Sequence, residues 1–297
     1  AGVVLMSVPI VDKIDAKNQL SRGKKAAINV WFRHIIVLIY PLSSELLIVS
    51  QLTGLSIYTQ VLLLLFPFLI LTIVGYFTLI KQTTLKSPEN SRNYKKAFQY
   101  LLLILLAPVM DITCRLLFPN FASVKLFMMT GLLLSIFIAL GVTKSKIQII
   151  SSVAKEMKIW RFPVMIYGIF WFVFVFQESS IPLLLNSMTI PMILLIILSF
   201  LLGFATGRIS LPATLIFPIY MAQSNFSIIP KLEFVLLYSM IFLGYIFTPI
   251  HPCVAYSSDY FQIKLKTTVR YFLSPIFVSM GIILGFYIFI QFLQFCW

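Results

Sequence analysis

Two short stretches combine the residue types that handle ions inside a membrane. Gly203-Phe204-Ala205-Thr206-Gly207-Arg208, with Ser210 close behind, brings together two glycines, two hydroxyls and a guanidinium. Glycine permits a tight turn and bares backbone N–H groups. A helix that starts after such a turn aims its positive end at an anion, and Thr206, Arg208 and Ser210 would add donors. The second stretch is Thr248-Pro249-Ile250-His251-Pro252, resumed by Cys253 and the hydroxyls of Ser257 and Ser258. Pro249 and Pro252 lack N–H groups, so carbonyls upstream are left free. With Thr248, Ser257 and Ser258 those carbonyls could hold a cation or a substrate, and His251 could relay a proton or bind a ligand. Asp259 ends this segment and could equally sit at the water boundary. Each stretch also has a plainer reading: a glycine kink packing two helices through small residues, an arginine reaching for the interface, a histidine filling a structural hydrogen bond.

Asp111 and Arg115 are four residues apart on one helical face, the spacing of an ion pair. Charges in a span face inward and pair, so this couple is expected to be structural. Arg33, His34 and Glu45 are similar; the first two lie within two turns of a basic loop and can simply reach the interface. The sequence contains no Gly-x-Ser-x-Gly, no His-Glu-x-x-His and no phosphate loop, so no catalytic residue and no enzyme activity is expected. Two histidines in all make a multi-histidine metal site unexpected, and Cys114, Cys253 and Cys296 have no metal or redox spacing. No metal and no cofactor is expected beyond a coupling Na+ or H+.

The elements that must position these groups are apolar helices. Of the 297 residues 60% are hydrophobic and only 11% charged, with a mean hydropathy of +0.99. Runs such as 62–79 carry no charge, and about 18 such residues suffice for a membrane span. They do not alternate as the strands of a β-barrel would. The expected class is therefore an all-α polytopic membrane protein, with the lipid bilayer as its first partner. The net charge of +14 would suggest nucleic acid in a soluble protein. Here Lys and Arg cluster between spans, as cytoplasmic loops require, and no nucleic acid is expected.

In chain order, residues 1–11 are apolar but too short to span, and a basic loop follows at 13–25. Spans are expected at 28–50, with Pro41 in its middle, and at 56–80. A basic linker at 81–97 divides the chain into 1–80 and 98–297. Further spans are expected at 97–118 and 126–143, and 144–159 has the mixed pattern of an interfacial helix. The aromatic stretch 160–177 either spans or lies at the interface. Residues 188–222 read as two arms about a tip at 203–208. Each arm is short for a full span at about 1.5 Å per residue, which favours a re-entrant hairpin. A segment at 232–262, broken at 248–252, and a last span at 271–295 complete the chain.

Residues 1–11 can be laid on 251–261, two short apolar half-helices with Ser7 matching Ser257, each leading into a basic loop. Paired interrupted segments in corresponding halves are the best sequence pointer to a transporter site. Ser7 thereby joins Gly203, Thr206, Gly207, Arg208, Ser210, Thr248, His251, Ser257 and Ser258 as a candidate substrate contact.

Met6-Ser7-Val8-Pro9-Ile10-Val11-Asp12, Asn29-Val30-Trp31-Phe32-Arg33-His34, Gly203-Phe204-Ala205-Thr206-Gly207 and Thr248-Pro249-Ile250-His251-Pro252-Cys253, in that order, resemble the integral membrane family known as domain of unknown function 401. That family is related to the ion transporter superfamily of dicarboxylate, citrate and arsenite carriers. The resemblance covers nearly the whole chain. It implies two inverted repeats, each with a re-entrant hairpin and a broken helix. It makes 203–208 the second hairpin tip and 248–258 the second break, and it favours an interfacial 160–177. Family members carry a Pro-Met-Pro-Gly-Gly-like stretch before the first half-helix; a chain opening at Ala1-Gly2 is expected to lack that stretch and the first hairpin. The Ser-Asn-Thr tips of the better-known carriers are absent, so dicarboxylate specificity does not carry over.

The expectation is a secondary active transporter of a small anionic or polar solute, coupled to ions or protons and working by alternating access. It would sit in a prokaryotic cell membrane, with a homodimer as an open expectation. The alternative is a non-transporting, membrane-embedded scaffold or subunit.

Overall fold

A computed structural model of the chain describes residues 20–81, 94–118, 125–143, 147–156, 159–181, 190–224 and 226–296, with Ser7, Val11 and Leu184 besides. Among these residues there are helices and no strand. Three helical stretches, Ile57–Ile80, Lys231–Tyr260 and Leu265–Gln294, are long and apolar enough to cross a membrane. This is the make-up of a helical membrane protein, in which every backbone polar group must be satisfied internally. Most of the half-helix expected at 1–11 and of the linker expected at 81–97 lies outside the described residues; Ser7 is helical and partly buried.

The chain forms two compact units, 1–88 with 169–297 and 89–168. This division follows contacts, and it cuts the chain differently from the repeats expected at 1–80 and 98–297.

In the larger unit α1 spans Arg22–Ile35 and runs into a 3-10 turn at Ile36–Leu38. Its N-cap Ser21 accepts a hydrogen bond from the Lys24 amide. α2 is Ser44–Thr53, capped by the Ser43 hydroxyl and ended by Gly54 at φ 73°. The single span expected at 28–50 is thus two helices. Pro41 supplies no N–H and pushes Tyr40 out of helical geometry, and Ser43 restarts the chain as a cap. α3, Ile57–Gly75, begins at the Ser56 cap and ends in a π-helical turn at Tyr76–Ile80. There the Trp31 ring lies against Gly75 and donates from Nε1 to the Leu71 carbonyl at 3.0 Å. Any side chain at Gly75 would occupy the space of the indole.

The smaller unit holds α4 (Tyr94–Leu117), α5 (Lys125–Thr143) and α6 (Gln148–Glu156). α4 and α5 pack closely where Gly131 faces the backbone of Ala107. On α4, Arg115 Nε donates to Asp111 Oδ2 at 2.8 Å, the ion pair the spacing predicts. α7, Arg161–Glu178, runs across the division between the units.

The larger unit resumes with α8 (Met192–Thr206) and α9 (Ser210–Ser224), each of 15 residues. That is about 22 Å of helix, short of the ~30 Å hydrocarbon core. α10 (Lys231–Phe247) is the central helix, every residue of 234–244 being buried. It is apolar all round, as a helix enclosed by others must be. After a break at 248–251 the chain resumes as α11 (Pro252–Tyr260), and α12 (Leu265–Cys296) closes the unit. α8 and α10 approach almost backbone to backbone. Gly203 faces the Ile241 carbonyl and Gly244 faces the Phe200 carbonyl, the small-residue contact that lets membrane helices come close.

Candidate functional site

The turn after α8 and the break after α10 meet. Gly207 ends α8 in left-handed geometry, φ 59°, its N–H bonded to the Gly203 carbonyl at 3.0 Å. A methyl group built on Gly207 would sit 3.3 Å from Thr248 Cγ2 and 3.6 Å from the His251 nitrogen. The break itself is short. Thr248 is extended, its hydroxyl accepts from the Ile250 amide at 3.3 Å, and His251 caps α11 with Pro252 in the first helical position. Proline is suited to that position because its missing N–H would have no helical partner anyway.

α1 supplies what the two interruptions face. Lys25, Asn29 and Arg33 recur at every fourth residue and share one side of the helix. Lys25 and Asn29 are buried, and Asn29 Nδ2 donates to Ser257 Oγ at 2.9 Å. His34 is buried one position further on. Its Nδ1 lies 2.6 Å from the Val30 carbonyl and its Nε2 lies 2.8 Å from Nε2 of His251. A carbonyl can only accept, so Nδ1 of His34 carries its proton and Nε2 presents a lone pair. His251 Nε2 therefore donates to it. The Tyr245 hydroxyl stands 3.4 Å from the same His251 nitrogen, and the rings of His34 and Tyr245 pack edge to face. Cys253, the second residue of α11, completes a group whose ligand atoms all lie within 4.8 Å of one another.

Charge is lodged among these groups. Arg33 is close enough for its charge to act on His34, His251 and Tyr245. Its Nη1 and Nη2 are buried and, among the described residues, have no hydrogen-bond partner. A buried donor without a partner costs about 1–3 kcal/mol, and more when it is charged. Glu45, in the first turn of α2, meets the hydroxyl and backbone N–H of Ser210, with Arg208 nearby. The positive end of α9 thus faces the protein's own carboxylate. At the outer end of α1, Leu20, Ser21, Arg22, Lys25, Tyr260, Phe261 and Gln262 line a cavity of about 530 Å³. The polar side of α1 runs from there towards Arg33, about 12 Å for the eight residues from Lys25.

Of the residues expected to contact substrate, Gly207, Thr248 and His251 stand together at this junction, and Ser257 joins α11 to α1 through Asn29. Thr206 is turned to its own chain, donating to the Leu202 carbonyl at 2.7 Å and accepting from the Arg208 amide. Ser258 is tied to Thr268 of α12 at 2.7 Å, and Gly203 is used in helix packing. Arg208 is exposed. Ser7 is described only as a partly buried helical residue with a bonding partner. Arg33, His34, Asn29 and Cys253 were not among the expected contacts. The four-residue recurrence of polar residues along α1 is the signal that could have found Asn29 and Arg33.

These roles separate two substitutions. Ser257→Ala would leave the buried Asn29 amide without its partner, and we expect it to cost about 1–3 kcal/mol. Thr206→Ala removes a local cap and should cost under about 1 kcal/mol. Thermal unfolding in detergent checks both, and equal losses would contradict the assignment.

The model of the family described as "Protein of unknown function (DUF401)" matches residues 1–291. No curated protein matches the chain.

Proposed function

The chain belongs to this DUF401 family, and we propose that it is a secondary active transporter of a small anionic or polar solute, related to the ion transporter superfamily. α8 and α9 form a re-entrant hairpin, α10 and α11 form the broken helix of an inverted repeat, and the solute binds where Gly207 meets His251. The observation that carries this reading is the guanidinium of Arg33. Its two terminal nitrogens are buried and, among the described residues, without a hydrogen-bond partner, in the planar arrangement that grips carboxylates and similar oxyanions. The polar side of α1 and its basic cavity form the route by which an anion reaches it. Coupling falls to Na+ at the carbonyls freed by the break or to a proton passed between His34 and His251, and alternating access exposes the junction to each side in turn.

Thermal unfolding of the purified full-length protein tests this against a panel of small anions, with and without Na+ and at two pH values. A ligand present at about a hundred times its Kd stabilises the folded state by ~2.7 kcal/mol. We expect one class of anion to raise Tm, by an amount that depends on Na+ or on pH. The same anion should enter proteoliposomes down an imposed Na+ or proton gradient. A flat panel together with the absence of uptake would overturn the proposal.

A further inference from the structure

We propose that His34, His251 and Cys253 form a binding site for a thiophilic d10 metal ion, Cu(I) or Zn2+. One ligand atom from each lies within 4.8 Å of the other two, although 217 residues separate the two histidines in sequence. Two imidazole nitrogens 2.8 Å apart need a positive particle between them, because two lone pairs repel. A proton is one such particle and a metal ion is another. A nitrogen–nitrogen–sulfur donor set selects borderline and soft ions over Mg2+ or Ca2+, which prefer oxygen.

The surroundings are those of a ligand set. Nδ1 of His34 donates to the Val30 carbonyl, the outer hydrogen bond that fixes the tautomer and orients a ligating imidazole. His251 is a cap in extended geometry, φ −64° and ψ 120°, rather than a residue inside a helix. Ligation needs a shift of only a fraction of an ångström. Tetrahedral bonds of about 2.0–2.1 Å would place the two nitrogens roughly 3.3 Å apart.

Binding balances as follows. The proton on Nε2 of His251 passes to Nδ1, which is buried and, among the described residues, has no hydrogen-bond partner. The Cys253 thiol loses its proton to solvent as the sulfur–metal bond forms, so one proton is released per ion. Arg33 nearby favours a low net charge. Cu(I) with the thiolate is neutral and accepts three ligands. Zn2+ with the thiolate keeps one positive charge and an open fourth position, which a water or an anion beside Arg33 would fill. Among the described residues Tyr245 faces the cluster as well, and the charge of Glu45 reaches Tyr245. The site shares His34 and His251 with the proposed transport junction, but its test reads metal and not uptake, so the two proposals can fail separately.

Chelator competition on the purified full-length protein in detergent, in separate Cu(I) and Zn2+ arms, gives stoichiometry and affinity. Co2+ gives a thiolate-to-metal charge-transfer band. We expect one ion per chain, a thiolate band with Co2+, and at least a hundredfold weaker binding in Cys253→Ser and His34→Gln. Cys253 is only partly buried, so its near-isosteric replacement should leave Tm unchanged. The proposal is overturned if neither ion binds more tightly than about 10 μM, if bound Co2+ shows no thiolate band, or if both variants bind like the unchanged protein. In those cases the histidines share a proton only.

Discussion

Arg33→Gln is expected to lose anion binding by at least about thirtyfold while gaining resting stability. Truncating one member of a buried, hydrogen-bonded charge pair costs about 2–5 kcal/mol of binding, which corresponds to roughly 30- to several-thousand-fold in Kd. The resting protein responds in the opposite sense. Arg33 holds Nη1 and Nη2 buried and without partners among the described residues, and removing an uncompensated buried charge relieves the chain. Loss of function with gain of stability is the signature of a group held in place for a ligand. Arg33→Lys keeps the charge and loses the fork, so it should retain only part of the affinity. The measurement is Tm with and without the anion found in the panel. If Arg33→Gln lowers the resting Tm by several degrees and leaves the ligand shift intact, Arg33 is a structural residue.

The second large effect is expected at Gly244. A methyl group there would enter the Phe200 carbonyl and come within 2.8 Å of the Phe204 nitrogen, and one at Gly203 would enter the Ile241 carbonyl. These neighbours are backbone, so they yield only if α8 and α10 separate. Overpacking a tight contact costs about 1–3 kcal/mol. We expect Gly244→Ala to fall in that range and Gly244→Leu to exceed about 3 kcal/mol. The consequence reaches the junction, because α8 ends at Gly207 and α10 ends at Thr248. Separating the helices pulls the turn from the break, so Gly244→Ala should weaken ligand binding as well as stability, though it touches no ligand. Melting and binding measured on the same sample check this. An unchanged melt in Gly244→Leu would contradict the packing.

The two interruptions were legible because their cause is local. Glycine, proline and hydroxyl residues break an apolar run wherever they stand, and the arms around Gly207 and the break before Pro252 follow from them. The broken helix at Tyr40-Pro41 was equally legible, since Pro41 and the capping Ser43 are both in plain view, yet the length of the apolar run suggested one span. The role of α1 was harder to read. Arg33 and His34 near a basic loop fit an interfacial pair as well as a site, and what decides between them is His251, which no local pattern supplies. The same holds for Gly203 and Gly244: each glycine is visible, and their mutual contact is not. Cys253 showed no metal spacing in the sequence because its two nitrogen neighbours are brought in by folding.

The bond from Asn29 to Ser257 joins residues 228 positions apart. At about 5–20 residues per second of synthesis, roughly 10 to 50 seconds pass between the emergence of the two. Through that interval α1 carries Lys25, Asn29, Arg33 and His34 without the break that later receives them. A helix bearing such groups is costly to leave facing lipid. α1 is therefore expected to wait at the translocon or along the membrane surface, and to take its place only when α11 has been made. A nascent chain arrested before Ser257 should leave α1 open to water-soluble labelling, and release past α12 should close it.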